Sequence, residues 1–373
     1  MTTQLYSSAN ELQTPRIVGT GLVALDVLIC DQVQSATSSL GGSAGNVLAI
    51  LAYLGWCAVP VAKLGNDRAA ARISSEFEAL NADTRFIVRD ESTPTPIVYQ
   101  WPGDDQTTHK FSFCCPICGT KRSFLSVDEN AALCNTVLSE IKTTDVFYFD
   151  RVTPWALSLA KTYRSRDAMV VFEPSTIQSD CDSFQEALDV CNVLKYADDR
   201  IDELKNFNRE QIEIEIRTEG AKGLSFKLAA EKDSDWHFLE ALNVPKVSDT
   251  AGAGDWCTSG FLHYLSSKKT NFRDSTPLGL ANALRYGQAL AALNCTQSGA
   301  RGLTKQFDGG YLKNKLENLL TSDLLTANFE SLWNHVSKDL YLTLDVKSPQ
   351  AGTYSMVEKV SMVNDLCCKS VEI

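Results

Sequence analysis

Short runs rich in Val, Ile, Leu and Phe alternate along most of this chain with longer segments of helical periodicity. Parallel strands are joined by long crossovers, usually helices, so the alternation predicts a mostly parallel central sheet with helices on both faces. The predicted strands are residues 17–30, 58–63, 145–149, 169–172, 190–195 and 213–217. The predicted helices are residues 44–54, 68–80, 128–141, 155–164, 200–206, 255–266 and 276–294. The fold class is therefore α/β, a three-layer sandwich.

Two segments interrupt this alternation. Residues 27–42 and 86–125 contain strand-like pairs and predict a small antiparallel β lid. After about residue 330 the pattern weakens. We therefore divide the chain into a main domain, residues 16–330, and a C-terminal extension of unassigned role, residues 331–373, in which residues 340–346 resemble a strand.

The charge balance limits the partners. There are 35 Lys and Arg residues against 46 Asp and Glu, which gives a net charge of −11, and there is no basic run. Because nucleic-acid affinity comes largely from neutralising phosphates, we expect no nucleic-acid partner. The uncharged stretch between Asp31 and Lys63 is interrupted by glycines and by Pro60, so it falls short of the roughly 20 apolar residues of a membrane-spanning helix. We expect no membrane association.

The twelve cysteines are scattered, and the N-terminus lacks the basic and apolar regions of an export signal. We therefore expect reduced thiols and a cytoplasmic location. The stretch "FCCPICGTK" (113–121) offers Cys114 or Cys115 together with Cys118, which is the spacing of half a zinc site. A structural zinc site needs four ligands, and no second pair lies at the usual distance in the sequence, so a plain Pro-Gly turn is the alternative.

Two features near the N-terminus suit a ligand that carries hydroxyl groups. Asp26 is a lone acid in an apolar predicted strand, and a buried carboxylate is costly unless a ligand hydroxyl or a basic neighbour meets it. The stretch "GGSAGN" (41–46) places Gly41 and Gly42 before a predicted helix, where glycine lets the backbone approach a ligand closely. The amide of Asn46 can both donate and accept hydrogen bonds. A glycine turn with an Asn cap is the structural alternative.

The stretch "DTAGAGD" (249–255) opens a predicted helix. The N–H groups of Gly252, Ala253 and Gly254 lie at the helix start, where the dipole favours an anion such as a phosphate. Asp255, in the first turn, is either a benign first-turn acid or a general base. As a base it would take the proton of an attacking hydroxyl while the N–H groups stabilise the phosphoryl group in transfer.

A third stretch, "TEGAKG" (218–223), follows a predicted strand, and its glycines either admit a nucleotide phosphate or form a plain turn. Together, "GGSAGN", "TEGAKG" and "DTAGAGD" resemble, in this order, the motifs of the ribokinase (PfkB) family of carbohydrate kinases, over roughly residues 16–305. The resemblance implies a ribokinase-like fold for the kinase domain, residues 16–330, and a lid that often forms a dimer contact, hence a homodimer. It implies transfer of the ATP γ-phosphate to a hydroxyl of a sugar or nucleoside.

The resemblance also assigns roles to individual residues. It makes Asp255 the catalytic base, with an anion hole formed by the amides of Gly252, Ala253 and Gly254. The residues that would hold the acceptor hydroxyls are Asp26, Gly42 and Asn46. The nucleotide side would be lined by Thr218, Gly220, Gly223 and, near the adenine, Gln288. In members activated by a monovalent cation such as K⁺, the ion would lie near Asp249 and Gly299.

The sequence departs from the family pattern at two places. The family commonly has Asn-x-x-Glu or Ser-x-x-Glu after the strand matching residues 190–195, where the motif organises Mg²⁺, whereas "KYADDRIDEL" puts Ala197 and Arg200 at those positions. "FEPS" (172–175) stands where Asp-Pro-Asn is frequent. These departures bear on magnesium handling and catalytic rate rather than on the fold.

The sequence therefore predicts an ATP- and Mg²⁺-dependent kinase that acts on a small sugar, sugar acid or related polyol. A nucleoside kinase is the nearest alternative. A catalytically impaired sensor that binds a sugar or nucleotide is the other, and Arg200 favours it.

Overall fold

The computed structural model contains a large α/β body and a small second sheet. It describes residues 14–30, 35–92, 94–102, 109–124, 131–177, 180–229, 236–269, 272–320, 329–337, 361–362 and 367. The strands are β1 (Arg16–Thr20), β2 (Ala24–Cys30), β3 (Ser35–Gly41), β4 (Cys57–Gly65), β5 (Ile87–Asp90), β6 (Ile97–Pro102), β7 (His109–Ser112), β8 (Val146–Phe149), β9 (Met169–Phe172), β10 (Val193–Ala197), β11 (Ile214–Thr218), β12 (Gly223–Leu228), β13 (His237–Glu240) and β14 (Ser361–Met362).

Helices cover the body. The α-helices are α1 (Ser43–Tyr53), α2 (Arg68–Ala79), α3 (Ala131–Glu140), α4 (Pro154–Arg164), α5 (Cys181–Val190), α6 (Ala253–Ser267), α7 (Pro277–Asn294), α8 (Gly302–Gln306), α9 (Gly309–Leu320) and α10 (Phe329–Ser337). Short 3₁₀ turns occupy Thr84–Phe86, Asp202–Asn206, Gly220–Lys222 and Phe272–Asp274. Within the described residues, no helix combines the length and the hydropathy needed to cross a bilayer.

The main sheet has nine strands in the order β13-β12-β11-β10-β9-β8-β1-β4-β5. The seven strands from β11 to β5 pair in parallel, and β12 and β13 add an antiparallel hairpin at one edge. This confirms the predicted α/β class and the mostly parallel sheet. Because the parallel strands share one direction, their carboxyl ends meet along a single edge, where α/β proteins bind ligands.

Both faces of the central strands β1, β8 and β9 are buried, which explains their nearly continuous apolar runs. Successive residues point to opposite faces, so Ile17 packs in the cluster that includes Trp256 of α6, while Val18 packs in the cluster that includes Leu159 of α4. The two clusters fill the two faces of the sheet, with α1, α6 and α7 packed on one side and α3, α4 and α5 on the other.

The prediction of one strand over residues 17–30 is wrong, because this segment forms β1 and β2 in two different sheets. Gly21 lies between them at φ +132°, and a Cβ built there would lie 1.6 Å from Asp150 Oδ1. The Asp150 carboxylate therefore occupies the space that a side chain at position 21 would need. Asp150 is more than 100 residues away in the sequence, so the residues around Gly21 do not show that the strand is interrupted there.

The second sheet is the lid, with strand order β14-β3-β2-β6-β7. Strands β2 and β6 pair in parallel, and the other neighbours are antiparallel. The C-terminal region thus contributes β14, whose Ser361 pairs with Ala36, to an edge of the lid. The strand-like residues 340–346 lie outside the described residues.

Two further expectations are corrected. The predicted helix over residues 200–206 contains only the 3₁₀ turn Asp202–Asn206. The strand predicted over residues 190–195 begins later, because Val190 is the last residue of α5, a helix that the sequence analysis did not predict.

Candidate active site

Helix α6 begins at the edge of the sheet where the strands end. Its N-cap, Gly252, has φ +72°, and a Cβ there would lie 2.2 Å from the carbonyl oxygen of Ala300. Glycine is therefore required by both the backbone conformation and the close approach. The same carbonyl accepts a hydrogen bond of 3.0 Å from Trp256 Nε1, so α6 is fixed against the loop that follows α7.

The three amides predicted at this helix start are not equivalent. Ala253 N–H donates to Thr250 O at 3.2 Å and is therefore engaged in the turn. The expectation of three consecutive amides available to an anion is corrected in this respect. Gly252 and Gly254 remain in the part of the helix where N–H groups have no intrahelical acceptor, and Gly254 is exposed.

Asp255, in the first turn of α6, is half-buried and contacts α1. Asn46 Nδ2 donates to Asp255 Oδ2 at 2.8 Å. Burial and the nearby Glu173 carboxylate raise the pKa of Asp255 well above its usual value, while Asn46 and Lys195 act in the opposite direction. Among the described residues, the buried Asn46 Oδ1 has no hydrogen-bond partner. An unsatisfied buried acceptor next to a carboxylate suits a ligand that brings a hydroxyl donor.

Asp26 of β2 lies against the glycines that precede α1. A Cβ at Gly41 would lie 1.9 Å from Asp26 Cγ, and the Gly42 backbone donates to the Asp26 carboxylate. Burial raises the pKa of Asp26 to about 7, and the Arg301 guanidinium partly offsets this rise. Gly42 is the N-cap of α1 at φ +78°, and its carbonyl accepts from Asn46 N at 2.7 Å. The predicted residues Asp26, Gly42, Asn46 and Asp255 thus form one continuous group.

A buried arginine and glutamate lie beside this group, and the sequence analysis did not find them. Arg301 Nη2 donates to Glu76 Oε2 at 2.8 Å and to Leu40 O at 2.5 Å. Arg72 Nε donates to the other oxygen, Glu76 Oε1, at 2.8 Å. Glu76 is therefore held between two guanidinium groups. One of them, Arg301, lies close enough to influence Asp26. Glu76 is a charged residue on the buried face of α2, which was the available signal in the sequence. Its partner Arg301 lies 225 residues away, so the sequence does not show the pair.

A second charged pair lies beneath the start of α6: Glu173 belongs to the stretch "FEPS", which departs from the family pattern, and Lys195 was not singled out in the sequence. Lys195 of β10 forms a buried ion pair with Glu173, which directly follows β9, and Lys195 Nζ also donates to Gly254 O at 3.3 Å. Glu173 Oε2 accepts from Thr258 Oγ1 at 2.7 Å and from Tyr148 OH at 3.4 Å. Burial acts to lower the pKa of Lys195, but the charge and hydrogen bond of Glu173 together with the nearby Cys257 and Asp255 outweigh it, so the pKa is raised. The signal in the sequence was a lysine inside an otherwise apolar strand.

Asp150, directly after β8, is a further residue that was not singled out in the sequence. It is buried and accepts from Leu22 N at 2.8 Å and from the Ser43 hydroxyl, while Arg151 Nη1 lies at 3.2 Å. Asp150 therefore fixes the turn between β1 and β2 to the first residue of α1. Its position at the carboxyl end of a parallel strand was the available signal.

Two of the residues predicted for the nucleotide side, Gly223 and Gln288, lie against Leu239 of β13. Gln288 Nε2 donates to Leu239 O at 3.3 Å, and a Cβ at Gly223 would lie 2.1 Å from the same oxygen. Thr218 Oγ1 donates to Tyr196 O at 3.3 Å. Gly220 has φ +58° and open space where a side chain would be. As far as the structure is described, the buried Gln288 Oε1 has no hydrogen-bond partner.

Asp249 and Gly299, predicted to lie near a monovalent cation, are in direct contact. Asp249 Oδ2 accepts from Gly299 N at 2.7 Å, and Asp249 Oδ1 accepts from Ala251 N at 2.8 Å. The amide of Asn294 donates to Ala251 O at 3.2 Å and to Gly299 O at 3.4 Å. Backbone carbonyls and a carboxylate thus gather between two loops, and these hard oxygen ligands suit a hard cation.

The two positions that depart from the family pattern lie at the carboxyl end of β10. Ala197 is paired in register with Thr218, and Arg200 N donates to Ala197 O at 3.2 Å in the following turn. Arg200, Asp198 and Asp199 are exposed, and Asp198 lies 3.5 Å from Arg217 Nε. A cationic side chain therefore stands beside the predicted nucleotide end of the site.

Comparisons with known proteins identify the family and the fold of this chain. The chain matches the family described as "pfkB family carbohydrate kinase" over residues 26–306. A search of curated proteins found no match. Ribokinase from Giardia lamblia is 16% identical with a TM-score of 0.63, and the match covers 77% of this chain and 96% of that chain.

Two further solved structures contain ligands. A double mutant of fructokinase from Vibrio cholerae, solved with fructose, ADP and a potassium ion, is 19% identical with a TM-score of 0.60 over 78% of this chain and 95% of that chain. Aminoimidazole riboside kinase from Salmonella enterica, solved with aminoimidazole riboside and an ATP analogue, is 17% identical with a TM-score of 0.58 over 86% of this chain and 100% of that chain. The fold is thus that of the ribokinase-like sugar kinases, and the chain belongs to the pfkB family of carbohydrate kinases, which are phosphotransferases.

Proposed function

We propose that this protein transfers the γ-phosphoryl group of ATP to a hydroxyl of a small sugar or sugar acid, with Asp255 as the general base. The observation that carries the proposal is the contact between Asn46 Nδ2 and Asp255 Oδ2 at 2.8 Å, at the positive end of α6. This hydrogen bond places Asp255, a carboxylate that can accept a proton, next to Asp26, Gly42 and Asn46, the residues that suit hydroxyl ligands.

In the proposed reaction, the Asp255 carboxylate takes the proton of the attacking hydroxyl. The hydroxyl oxygen forms a bond to the γ-phosphorus, the bond from that phosphorus to the β–γ bridging oxygen breaks, and ADP leaves. The amides of Gly252 and Gly254 and the α6 dipole stabilise the charge on the phosphoryl group in transfer. Ala253 N–H donates to Thr250 O, so Ala253 contributes by holding the turn that directs the amides of Gly252 and Gly254 toward the phosphoryl group.

Acceptor binding is assigned to Asp26, Gly42 and Asn46. The Asp26 carboxylate accepts hydrogen bonds from hydroxyls, and the unsatisfied Asn46 Oδ1 accepts another. Arg301 places a positive charge next to Asp26, which favours an acceptor that carries a carboxylate as well as hydroxyls. We therefore expect sugar acids to rank at least as high as neutral sugars among the acceptors.

The nucleotide is assigned to the edge formed by Thr218, Gly220, Gly223 and Gln288. Gly220 leaves open space at a strand end, and Gln288 Oε1 is a buried acceptor that suits an amino group of a base. Mg²⁺, when bound with ATP, neutralises the charge that develops on the phosphates. Asp249 and Gly299 supply oxygen atoms that fit K⁺, because a carboxylate that already accepts two N–H groups keeps further lone pairs.

The test is Asp255→Asn. We expect the rate of acceptor-dependent ADP release to fall roughly 10²–10⁴-fold, the usual contribution of a general base, while ATP binding is retained. Asp274→Asn, on an exposed residue of the same charge, is the matched control and should leave the rate unchanged. Unchanged turnover in Asp255→Asn would refute the assignment.

A sensor that binds a sugar or nucleotide without turnover is the second candidate, favoured by the exposed Arg200 at the nucleotide end. A panel of sugars, sugar acids and nucleosides separates the two functions when ADP release and thermal stability are measured together. Stabilisation by a ligand without ADP release would support the sensor. ADP release with a nucleoside alone would make the protein a nucleoside kinase.

A further inference from the structure

The turn after β7 brings two cysteine side chains to one side of the chain. Gly119 N donates to Cys115 O at 2.9 Å, and Cys115 N donates to Thr120 O at 2.9 Å, so the segment from Cys115 to Thr120 is a tight loop. Gly119 has φ +71°, which lets the chain reverse directly after Cys118. Two cysteines separated by two residues on such a loop have the spacing of one half of a zinc site.

The C-terminal region supplies a third sulfur. Cys367 Sγ lies 4.0 Å from Cys115 Sγ, and the sulfur atoms of Cys115, Cys118 and Cys367 all lie within 4.8 Å of one another. With Zn–S bonds of about 2.3 Å, a tetrahedral ion separates its sulfur ligands by about 3.8 Å. A disulfide needs about 2.05 Å between its sulfur atoms, which is well below the observed separation.

Cys114, the neighbour of Cys115, does not belong to this group of three sulfur atoms. Cys115 and Cys367 are buried, Cys118 is half-buried, and Cys114 is exposed and paired with Lys121 in a β-bridge. The hydroxyl of Thr120 lies 3.3 Å from Cys118 Sγ, where it can donate to a thiolate. Such hydrogen bonds to ligand sulfur orient and stabilise metal-bound thiolates.

We propose that Cys115, Cys118 and Cys367 bind a structural zinc ion that ties the C-terminal region to the lid. Soft thiolate ligands favour zinc among the divalent ions, and binding converts each thiol to a thiolate with release of one proton. The fourth position of the tetrahedron remains for a further ligand.

The location of the site gives it a structural role in the lid. Five residues before Cys367, β14 ends, and β14 extends the lid sheet at β3. β3 is in turn paired with β2, which carries Asp26 opposite Ser39. An ion at the three cysteines therefore closes a loop between the two ends of the lid sheet, β14 on one edge and the turn after β7 on the other. This inference does not depend on the proposed kinase reaction.

The test is elemental analysis of the full-length protein, purified under reducing conditions, freed of metal and then reloaded with zinc. We expect about one tightly bound zinc ion per chain, and loss of the ion in Cys115→Ser, Cys118→Ser and Cys367→Ser. Cys114→Ser is the matched control and should retain the ion. Circular dichroism of each variant separates loss of a ligand from loss of the fold.

Cobalt provides a second measurement that needs no variant. Co²⁺ added to the metal-free wild-type protein should give the thiolate charge-transfer band and the intense visible absorption of a tetrahedral thiolate site, and zinc should abolish both. Absence of bound zinc and of this spectrum in the folded wild-type protein would overturn the proposal. So would a Cys115–Cys367 disulfide detected by mass spectrometry in the freshly isolated protein, or full retention of zinc by Cys367→Ser.

Discussion

Asn46 Nδ2 and Asp255 Oδ2 are 2.8 Å apart, although 209 residues separate them in the chain. The hydrogen bond joins the first turns of α1 and α6, the two helices whose glycine N-caps, Gly42 and Gly252, both have positive φ. It also lowers the pKa of a carboxyl group that burial and Glu173 raise. Asn46 therefore acts on both the position and the protonation of the proposed base.

The first prediction concerns Asn46→Ala. Because the variant loses a hydrogen bond to the charged form of Asp255, the pKa of Asp255 should rise further. The base works deprotonated, so the acid limb of the kcat/KM profile should move to higher pH. We expect kcat/KM at neutral pH to fall roughly 10–100-fold, the usual effect of losing a hydrogen bond to a charged group. Asn206→Ala, on an exposed residue, is the control, and an unshifted acid limb in Asn46→Ala would contradict the role.

The second prediction concerns Glu173→Gln. The Glu173 charge is, after burial, the largest cause of the raised Asp255 pKa. Its removal should lower that pKa, so the acid limb should move to lower pH, opposite to Asn46→Ala. Glutamine keeps an oxygen for Lys195 and an amide for the Thr258 hydroxyl, so the fold should be retained. Titration of kcat/KM against pH for both variants gives two shifts of opposite sign if the electrostatic account holds.

Lys195→Met tests the same pair from the other side. The side chains of Lys195 and Glu173 are 4% and 14% exposed, so the variant leaves a largely buried carboxylate without its partner. Breaking a buried pair in this way costs about 3–5 kcal/mol, and Glu173→Gln should cost less. Urea denaturation of both variants measures the difference. Equal stability of Lys195→Met and the wild-type protein would show that the pair is not the support of α6 that the structure indicates.

The sequence was sufficient for features that depend on local chemistry. The parallel strands were predicted because burial on both faces produces continuous apolar runs, as in β8 and β9. Gly42 and Gly252 were singled out because each lies in a glycine-containing motif that precedes a predicted helix, and their positive φ shows why glycine stands there. Asp26 was found because an acid in an apolar strand needs a partner.

Features that depend on distant contacts were not predicted. Glu76 meets Arg301 across 225 residues, and Asp150 reaches Ser43 and Leu22 across more than 100 residues. Neither residue lies in a motif, so the sequence does not distinguish it from an ordinary charged residue. The same limit applies to Cys367, whose sequence neighbours do not show that it meets the turn after β7. In each case the two residues meet only because the arrangement of the two sheets brings distant parts of the chain together.

The fourth prediction links Asp26 to stability. The pKa of Asp26 is raised from 3.8 to about 7 in the folded protein, mainly by burial. A raised carboxyl pKa means that ionisation opposes folding: the cost is absent below the unfolded-state pKa, grows between pH 3.8 and 7, and is complete above about pH 7. Asp26→Asn should therefore raise Tm more at pH 8 than at pH 5, by roughly 1–2 °C for each kcal/mol recovered.

The same variant should weaken acceptor binding, because a carboxylate that accepts from hydroxyls becomes an amide that presents two donors on one side. Thermal unfolding at both pH values and acceptor KM at pH 8 are the two measurements. Asp199→Asn, on an exposed residue, should change neither quantity. A gain in Tm that is equal at both pH values would contradict the ionisation account, and an unchanged KM would remove Asp26 from the acceptor site.

The last prediction concerns the double variant Ala197→Asn/Arg200→Glu, which restores the family motif. Ala197 is in register with Thr218 at the end of β10, so an Asn there would lie beside the proposed nucleotide site, and a Glu at 200 replaces a cation with an anion three residues on. Both changes favour Mg²⁺, since oxygen ligands and negative charge attract a hard cation. We expect the Mg²⁺ concentration for half-maximal rate to fall roughly 10–100-fold, the range that groups surrounding a metal contribute.

Two controls separate the causes. Arg200→Ala removes the positive charge without adding a carboxylate, so an equal gain in that variant would assign the effect to relief of repulsion. Arg68→Glu makes the same charge reversal at an exposed position on α2 and should leave the Mg²⁺ dependence unchanged. If the double variant gains no activity at any Mg²⁺ concentration, while the wild-type protein binds ligand without releasing ADP, the missing motif is not what limits catalysis and the sensor becomes the better account of this site.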